Sequence, residues 1–180
     1  METVESREIY SNRWITLRED VVRQGDGEES IYAFIRKADF AVVIPWDGER
    51  FQLVEQYRYP LGRRCWEFPG GAVAGEDFDP IAVARQELRE ETGLRAERLT
   101  LLGKVSPAPA TSTQYGHVVL ATGLTAGAHE REWSERDMES AWFSRGQLED
   151  MITEGVIVDA QSIAAYSLLL LRERRGGLLG

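Results

Sequence analysis

The sequence predicts an α+β fold, in which a strand-rich first third is followed by strands and helices in mixed order. Segments such as ITLRED, SIYAFIRK and FAVVIPW are rich in β-branched and aromatic residues, which is typical of strands. From about residue 80 the apolar residues recur at helical spacing, and two more helical segments follow near the end. Many strands with about three helices in one chain indicate the α+β or mixed α/β class.

Composition excludes several classes of protein. The 180 residues fit one ordinary domain, and a net charge of −9 argues against binding to nucleic-acid backbones. A small phosphorylated substrate stays possible, because local cations can reverse the field inside a site. The single Cys65 cannot form an intrachain disulfide. We see neither a signal peptide nor an apolar stretch long enough for a bilayer, so we expect a cytoplasmic protein without membrane contact.

The first strands are punctuated by turn signals and lead into a helix. Asp47-Gly48 predicts a hairpin between AVVIPW and RFQLVEQYR, because this pair suits a tight turn. WEFPGGAVAG (66–75) reads as a short strand that runs into a glycine-rich loop. Asp79-Pro80 and Gly93 then predict the beginning and the end of a helix over 80–92.

The second half alternates strands and helices around one polar loop. We predict strands in LTLLGKV and YGHVVLATGL, an acidic loop over 125–139 and a last strand in ESAWFS. SRGQLEDMITEG and VDAQSIAAYSLLLLRERR are predicted to be helical.

Three glutamates, Glu87, Glu90 and Glu91, lie close together in the predicted helix. Their spacings of three and four residues put them on one face, which we expect to lie roughly opposite the apolar residues Ile81, Ala84 and Leu88. Like charges at this spacing cost a few tenths of a kcal/mol per pair, and the helix dipole also disfavours anions here.

Two interpretations of the glutamates are open. They could form a solvated face with Arg85 and Arg89 as partners. Alternatively, they bind a divalent cation such as Mg²⁺, which takes oxygen ligands and often works with substrate phosphates. The preceding Pro-Gly-Gly loop (69–71) favours the cation, because glycine lets the backbone approach an ion or a phosphate closely.

Loop and helix together read GG-x₄-E-x₁₀-ELREETGL, which resembles the Nudix hydrolase signature G-x₅-E-x₇-R-E-U-x-E-E-x-G-U. The matched positions are Glu87, Leu88, Glu90, Glu91, Gly93 and Leu94. The resemblance implies a Nudix-type α/β/α sandwich with a mixed β-sheet. It also implies a bound Mg²⁺, with Mn²⁺ as a possible substitute. Glu90 and Glu91 would hold the metal, Glu87 would be a further ligand or assist the attacking water, and the Gly70 carbonyl could add a ligand.

Two departures from the signature concern the loop and one helix residue. Nine residues (77–85), not seven, separate Glu76 from the Arg-Glu position, and Gln86 stands where the family has arginine. A neutral glutamine can offer hydrogen bonds but no charge. We therefore predict that Gln86 hydrogen-bonds a neighbouring glutamate or a loop carbonyl from 72–78.

Residues 51–71 and 156–171 resemble the corresponding segments of ADP-ribose pyrophosphatases, a subgroup of this family. The resemblance implies hydrolysis of a nucleoside diphosphate sugar, ADP-ribose above all. Arg58 and Arg64 would hold the diphosphate, since guanidinium groups match phosphate oxygens. Glu67 would lie in the substrate site near the metal, or be a strand residue paired with an arginine.

The acidic loop and the N-terminus complete the expectations drawn from the subgroup. Glu135 is the candidate for activating water, with Glu132 and Asp137 behind it, although the loop could also be merely solvated. Residues 1–38 would form an antiparallel β extension that builds a homodimer and contacts substrate, and residues 39–180 would form the Nudix domain.

Several alternatives stay open at this point. The chain could be a non-catalytic Nudix-fold sensor of a nucleotide sugar, as Gln86 and the altered loop would suit, or a hydrolase of another nucleoside diphosphate sugar or an oxidised nucleotide. Tyr10, Trp14 and Trp46 could stack on adenine, although strand aromatics are more often in the core. We interpret His117 as structural.

Overall fold

The computed structural model describes residues 1–72, 78–130 and 136–176. The N-terminal part holds three strands, β1 (Glu2–Ser11), β2 (Thr16–Arg23) and β3 (Glu29–Arg36). The elements that follow as far as the first helix are β4 (Phe40–Pro45), β5 (Arg50–Arg58), a 3₁₀ turn (Tyr59–Leu61), β6 (Arg63–Glu67), β7 (Gly70–Gly71) and α1 (Pro80–Thr92). The remaining elements are β8 (Leu94–Val105), β9 (Gly116–Ala126), β10 (Glu139–Ser144), α2 (Arg145–Thr153) and α3 (Ala160–Arg174).

The strands form three sheets. Strands β1, β2 and β3 make an antiparallel sheet of their own, and β10, β5 and β6 make a second antiparallel sheet. The third sheet has the order β7-β4-β9-β8 and is mixed, because β4 and β9 run parallel while the other pairs are antiparallel. The predicted α+β class, with its mixed sheet and N-terminal antiparallel strands, is confirmed.

The mixed sheet lies between helices. Alternate residues of β4 and β9 point to opposite faces, as the pleat requires. One face packs with α3 in a cluster that includes Val42, Ile44, Val118, Leu120, Ala165 and Leu169. The other face packs with α1 in a cluster that includes Ala41, Val43, Val119, Ala121, Ala84 and Leu88. This is the α/β/α layering that the resemblance to Nudix hydrolases implied.

Helix α1 begins and ends where its capping residues predict. The Asp79 carboxylate accepts a hydrogen bond from the backbone N–H of Ile81 at 2.9 Å, and Pro80 occupies the first turn. Gly93 follows the last turn with a φ of 73°, a left-handed conformation that glycine adopts without a Cβ penalty. The prediction of a helix over 80–92 is confirmed.

The hairpin predicted at Asp47-Gly48 is wrong, although the turn itself forms. Gly48 has a φ of 108°, yet β4 pairs with β9 and β7 while β5 pairs with β10 and β6. The two sides of the turn share only the bridge Trp46↔Phe51 and the bonds between Asp47 and Arg50, and no ladder of β4 with β5 follows. All six residues of β4 are buried, so this strand belongs in the centre of a covered sheet and the chain changes sheet at the turn.

The N-terminal sheet is attached to the rest of the protein mainly through β3. All ten residues of β1 are exposed. Ile35 bridges to Ser112, and the Tyr32 hydroxyl donates a hydrogen bond to the Ala110 carbonyl at 2.6 Å. Within the described ranges, no helix has the length and apolar character needed to cross a membrane.

Candidate active site

Two of the three signature glutamates are buried on the inner side of α1. Glu91 is 2% exposed and Glu87 7% exposed, whereas Glu90 is half-buried. The expectation that all three lie opposite the apolar stripe is therefore wrong, and so is a solvated face for Glu87 and Glu91. The reason is helical spacing: each of these two follows an apolar stripe residue, Ala84 or Leu88, by three positions and so flanks the stripe.

The two glycines of β7 approach the buried carboxylates closely. The Gly70 N–H donates a hydrogen bond to Glu91 Oε2 at 3.0 Å. A Cβ on Gly71 would lie 2.4 Å from Glu87 Oε1, and a Cβ on Gly70 would lie 2.4 Å from the Ala41 carbonyl oxygen. Because no other residue leaves this space empty, the Pro-Gly-Gly sequence places backbone directly against both carboxylates.

Gln86 is bonded to the third glutamate. Its Nε2 donates to Glu90 Oε1 at 3.1 Å and lies 3.3 Å from Oε2. Arg89 is the nearest cation recorded for Glu90, with Nη2 3.8 Å from Oε1. The predicted hydrogen bond from Gln86 to a neighbouring glutamate is confirmed. The loop residues 73–77, including Glu76, lie outside the described ranges.

Arg58 and Glu67 form a two-pronged ion pair. Arg58 Nε lies 2.9 Å from Glu67 Oε1, and Nη2 lies 2.8 Å from Oε2. The Glu67 side chain is 8% exposed, whereas that of Arg58 is 44% exposed and can still meet a ligand. Burial raises the pKa of the Glu67 carboxyl, and the bonds to Arg58 offset only part of this rise. Burial alone would lower the pKa of Arg58, but Glu67, together with the charges of Glu91 and Asp159, outweighs burial and the pKa is raised.

Arg64 holds the end of the acidic loop. Its Nε donates to Glu55 Oε2 at 2.7 Å and its Nη1 to Asp137 Oδ2 at 3.0 Å. Nη2 also donates to the carbonyls of Glu55 and Asp137, at 3.1 and 2.8 Å. These bonds, with burial opposing them, raise the pKa of Arg64. Arg64 already binds the carboxylates of Glu55 and Asp137. Its expected role in substrate binding stays a prediction.

A cleft of about 400 Å³ opens beside these groups. Of the predicted residues, Arg58, Glu67 and Gly70 line it, and Glu87 and Glu91 lie against the β7 glycines at its edge. Sequence reasoning missed four polar residues of its wall, which are Lys37, Gln114, Asp159 and Gln161. The last two fall in the 156–171 segment, whose resemblance to the subgroup was the one available signal.

The donor atoms suit a hard cation. The glutamates of α1 and the carbonyls of β7 offer only oxygen, which is the ligand type that Mg²⁺ takes, and the absence of Cβ atoms on β7 leaves the approach open. Within residues 1–72, 78–130 and 136–176, no group of three or more acidic, histidine or cysteine side chains is gathered closely enough to hold a metal as it stands. Glu91 is turned to the Gly70 N–H and Glu90 to Gln86.

The other candidates are the glutamates of the acidic loop, His117 and three aromatic residues. Glu132 and Glu135 lie outside the described ranges. His117 Nε2 lies 3.1 Å from Asp39 Oδ2, and its ring centroid lies 4.9 Å from that of Phe78. Among the aromatic candidates Trp46 stacks on the core residue Phe51, whereas Tyr10 and Trp14 are exposed.

The mixed sheet between helices carries buried helical carboxylates against a glycine strand, beside a cleft lined by the charged residues Lys37, Arg58, Glu67 and Asp159. Such oxygen donors suit a divalent cation that acts on phosphate groups. The model of the Nudix domain matches residues 35–166, and the model of the nucleoside diphosphate sugar hydrolase N-terminal domain matches residues 1–35. The chain belongs to the Nudix family and is a Nudix hydrolase, as predicted.

Known proteins resemble the chain over nearly its whole length. The ADP-ribose pyrophosphatase of Mycobacterium tuberculosis is 35% identical, over 91% of this chain and 80% of that protein. The methanol dehydrogenase activator of Bacillus methanolicus is 30% identical, over 95% of this chain and 93% of that protein. A crystal structure titled ADP compounds hydrolase superposes with a TM-score of 0.86 at 18% identity, covering 98% of this chain and 96% of the other. This last likeness establishes the fold.

Proposed function

We propose that the protein is an Mg²⁺-dependent hydrolase that cleaves the diphosphate linkage of a nucleoside diphosphate sugar, namely ADP-ribose to AMP and ribose 5-phosphate. The observation that carries the proposal is the pair of buried carboxylates, Glu87 and Glu91, each held against a glycine of β7 beside the cleft. The relative from Mycobacterium tuberculosis, named for ADP-ribose, supports this substrate. The lone buried Cys65 suits a reducing cytoplasm, where we place the enzyme.

The proposed roles follow from where the groups lie. Glu87, Glu90, Glu91 and the Gly70 carbonyl would hold the metal. When bound, Mg²⁺ supplies charge neutralisation for the diphosphate and makes water more acidic; Mn²⁺ can serve in its place. Arg58 binds the diphosphate with the exposed part of its guanidinium, while buried Glu67 keeps that guanidinium in position.

The chemical step is a hydrolysis. Water adds to one phosphorus, the bridging P–O bond breaks, and the second phosphate leaves with the bridging oxygen. A carboxylate accepts the proton of the attacking water and passes it to solvent. We propose Glu87 and Glu135 for this task, and Arg64 as a second cation for the leaving phosphate.

The test is turnover of a panel of diphosphates with Mg²⁺ and with Mn²⁺. The panel contains ADP-ribose, a second nucleoside diphosphate sugar and an oxidised nucleoside triphosphate. We expect ADP-ribose to be the best substrate and Glu91→Gln to lower turnover by at least about 100-fold. Glu154→Gln, at an exposed carboxylate after α2, is the matched control and should keep full activity. Equal turnover in the wild type and Glu91→Gln would overturn the site assignment.

A non-catalytic sensor of nucleotide sugars is the second candidate. The neutral Gln86 in the signature favours it, because Glu90 lacks the strong ion pair that an arginine would supply. Calorimetry decides between the two candidates. Heat of ADP-ribose binding without any AMP product would support the sensor, whereas product formation would exclude it.

We propose further that residues 1–38 act as a dimerisation domain attached to the enzyme domain, 39–180, and that the protein is a homodimer. The N-terminal sheet exposes several large apolar side chains, which are Val4, Ile9, Tyr10, Trp14, Ile31 and Tyr32. Exposed apolar side chains of this size suit a protein interface. Sedimentation at micromolar concentration should give a dimer that Ile31→Lys dissociates and Leu171→Lys, at an exposed leucine of α3, does not. A wild-type monomer would contradict the proposal.

A further inference from the structure

The chain passes from one sheet to another immediately before the candidate metal site. Strand β6 ends at Glu67 in the antiparallel sheet, and β7 begins at Gly70 in the mixed sheet. Only Phe68 and Pro69 join them. The Pro69 carbonyl accepts a hydrogen bond from Val43 N–H at 2.8 Å, but proline has no N–H to donate. The N–H of Phe68 is thus the one backbone donor of this two-residue crossover.

That donor binds the hydroxyl of Ser162. Phe68 N lies 2.8 Å from Ser162 Oγ, and Ser162 is 2% exposed. The hydroxyl in turn donates to Asp159 Oδ2 at 2.8 Å, and the Ser162 N–H donates to the same oxygen at 2.8 Å. Because the Ser162 hydroxyl donates its hydrogen to Asp159, an oxygen lone pair of Ser162 faces the Phe68 N–H and accepts its hydrogen bond.

The crossover lies between the two halves of the candidate site. Glu67 precedes the crossover and binds Arg58. Gly70 follows the crossover, and its N–H donates a hydrogen bond to Glu91 at 3.0 Å. Asp159 itself lines the cleft, and its charge acts on both Arg58 and Glu67. One buried hydroxyl from the C-terminal helix therefore sets the position of backbone that leads directly to the substrate-binding pair and to the metal-binding carboxylates.

We infer that Ser162 is a positioning residue for the reaction, oriented by Asp159 and acting through the Phe68 N–H on Glu67 and Gly70. The inference rests on the proposed function, since the groups it positions are the proposed metal and phosphate ligands. A purely structural role would be the capping of α3. That cap uses the backbone N–H of Ser162 and the Asp159 carboxylate, so Ser162→Ala keeps it and removes only the bonds made by the hydroxyl.

The test compares Ser162→Ala with Tyr166→Phe, which removes a buried hydroxyl one turn further along the same helix. The Tyr166 hydroxyl binds Glu149 at 2.5 Å and has no bond to the crossover. We expect Ser162→Ala to lower kcat for ADP-ribose about tenfold and to weaken Mn²⁺ binding, followed by electron paramagnetic resonance, by a similar factor. Tyr166→Phe should change neither kcat nor Mn²⁺ affinity, even if it lowers the melting temperature as much as Ser162→Ala does.

A further readout is independent of substrate and metal. Amide hydrogen exchange at Gly70 should accelerate about tenfold in Ser162→Ala and not in Tyr166→Phe, because only the former frees the crossover. If the wild type hydrolyses no diphosphate, the proposed function fails, while Mn²⁺ affinity and Gly70 exchange still decide the inference.

Two outcomes would overturn the inference. One is a Ser162→Ala protein with wild-type kcat and Mn²⁺ affinity; the other is Gly70 exchange that rises equally in both variants. Should Ser162→Ala not fold, Ser162→Cys takes its place. Its thiol fills the same position but accepts hydrogen bonds weakly, so we expect the same losses at smaller size.

Discussion

The side-chain amide of Gln86 lies across the carboxylate of Glu90, 3.1 Å from one oxygen and 3.3 Å from the other. A neutral hydrogen bond thus orients this glutamate where the family signature has an arginine. The recorded cation beside Glu90 is Arg89, whose Nη2 lies 3.8 Å from Glu90 Oε1. The amide therefore fixes the direction of the carboxylate without competing with a cation for its charge.

Removal of this bond should weaken metal binding. We expect Gln86→Ala to raise the Mg²⁺ concentration for half-maximal activity about tenfold, because partners that orient a ligand carboxylate contribute at this scale. The measurement is a Mg²⁺ titration of turnover at saturating substrate. Gln24→Ala, at an exposed turn residue between β2 and β3, is the control. An unchanged titration in Gln86→Ala would mean that Glu90 is not oriented by the amide.

The two glycines of β7 should respond differently to alanine. The new Cβ in Gly71→Ala meets the end of the Glu87 side chain, which can move, so we expect a folded protein with activity reduced at least about tenfold. The Cβ in Gly70→Ala meets the backbone carbonyl of Ala41 at 2.4 Å, and backbone cannot yield cheaply. We therefore expect Gly70→Ala to lose about 1–3 kcal/mol of stability. Thermal melts and kcat measurements on the two variants test this contrast. Equal melting temperatures for Gly70→Ala and Gly71→Ala would contradict it.

The stability lost in Arg58→Ala should grow with pH. Burial already raises the pKa of Glu67 above its ordinary value of 4.5, and loss of Arg58 raises it further. A carboxyl whose pKa is raised by folding binds more protons in the folded state, so its effect on stability worsens as pH rises from 4.5 through the folded pKa. We expect a loss of about 2 kcal/mol at pH 8 and a smaller one at pH 4.5.

Urea unfolding at the two pH values measures this effect. The double variant Arg58→Ala/Glu67→Gln should recover most of the loss at pH 8, because it leaves no buried charge. Arg50→Ala is the control, since its partner Asp47 lies in an exposed turn and the pKa of Asp47 is lowered. Burial would raise the pKa of Asp47. Hydrogen bonds from the backbone N–H groups of Arg50 and Glu49 and from the Arg50 side chain lower this pKa by more. A loss independent of pH in Arg58→Ala would contradict the argument.

Tyr166 should make the protein sensitive to strong alkali. Burial, and then its hydrogen bond to Glu149, raise the pKa of the phenol from 10.0 to about 12. The folded state then keeps this proton where the unfolded state loses it, so stability falls as pH rises between 10.0 and about 12. Tyr166→Phe removes this contribution. The difference in unfolding free energy between wild type and variant should shrink by about 2 kcal/mol across the window.

Chemical denaturation at several alkaline pH values would measure that difference. Glu149→Gln is the matched control, because it keeps the phenol but removes the anion that helps to raise its pKa. In Glu149→Gln the loss of stability should begin at the same pH as in the wild type but end at a lower pH. A constant difference between wild type and Tyr166→Phe across the window would contradict the prediction.

Local chemistry was enough to predict some elements from sequence. Asp79, Pro80 and Gly93 define the ends of α1 because caps depend on a few neighbouring residues. The strand ESAWFS was likewise predicted with its observed bounds, Glu139–Ser144. A neighbouring glutamate was one of the two partners predicted for Gln86, and Glu90 lies within reach because it follows four positions later in the same helix.

Features that join distant segments could not be predicted in this way. Helical spacing puts Glu87 and Glu91 beside the apolar stripe of α1, but no helical pattern contains the contact with β7 that covers them. The turn at Asp47-Gly48 indicated a hairpin, but the pairing partner of β4 is β9, far along the chain. The bonds that join Arg64 of β6 to Asp137 at the end of the acidic loop were likewise not indicated by the sequence. Each error concerns a choice of partner, which tertiary structure makes.

The parallel pairing of β4 with β9 has a consequence for synthesis of the chain. Residues 40–45 pair with 116–121, and α1 lies between the two strands in sequence. A ribosome therefore releases α1 while the centre of its sheet is still missing. Since β9 supplies that centre, we expect the packing of α1 on its sheet to be complete only after residues 116–126 have been synthesised.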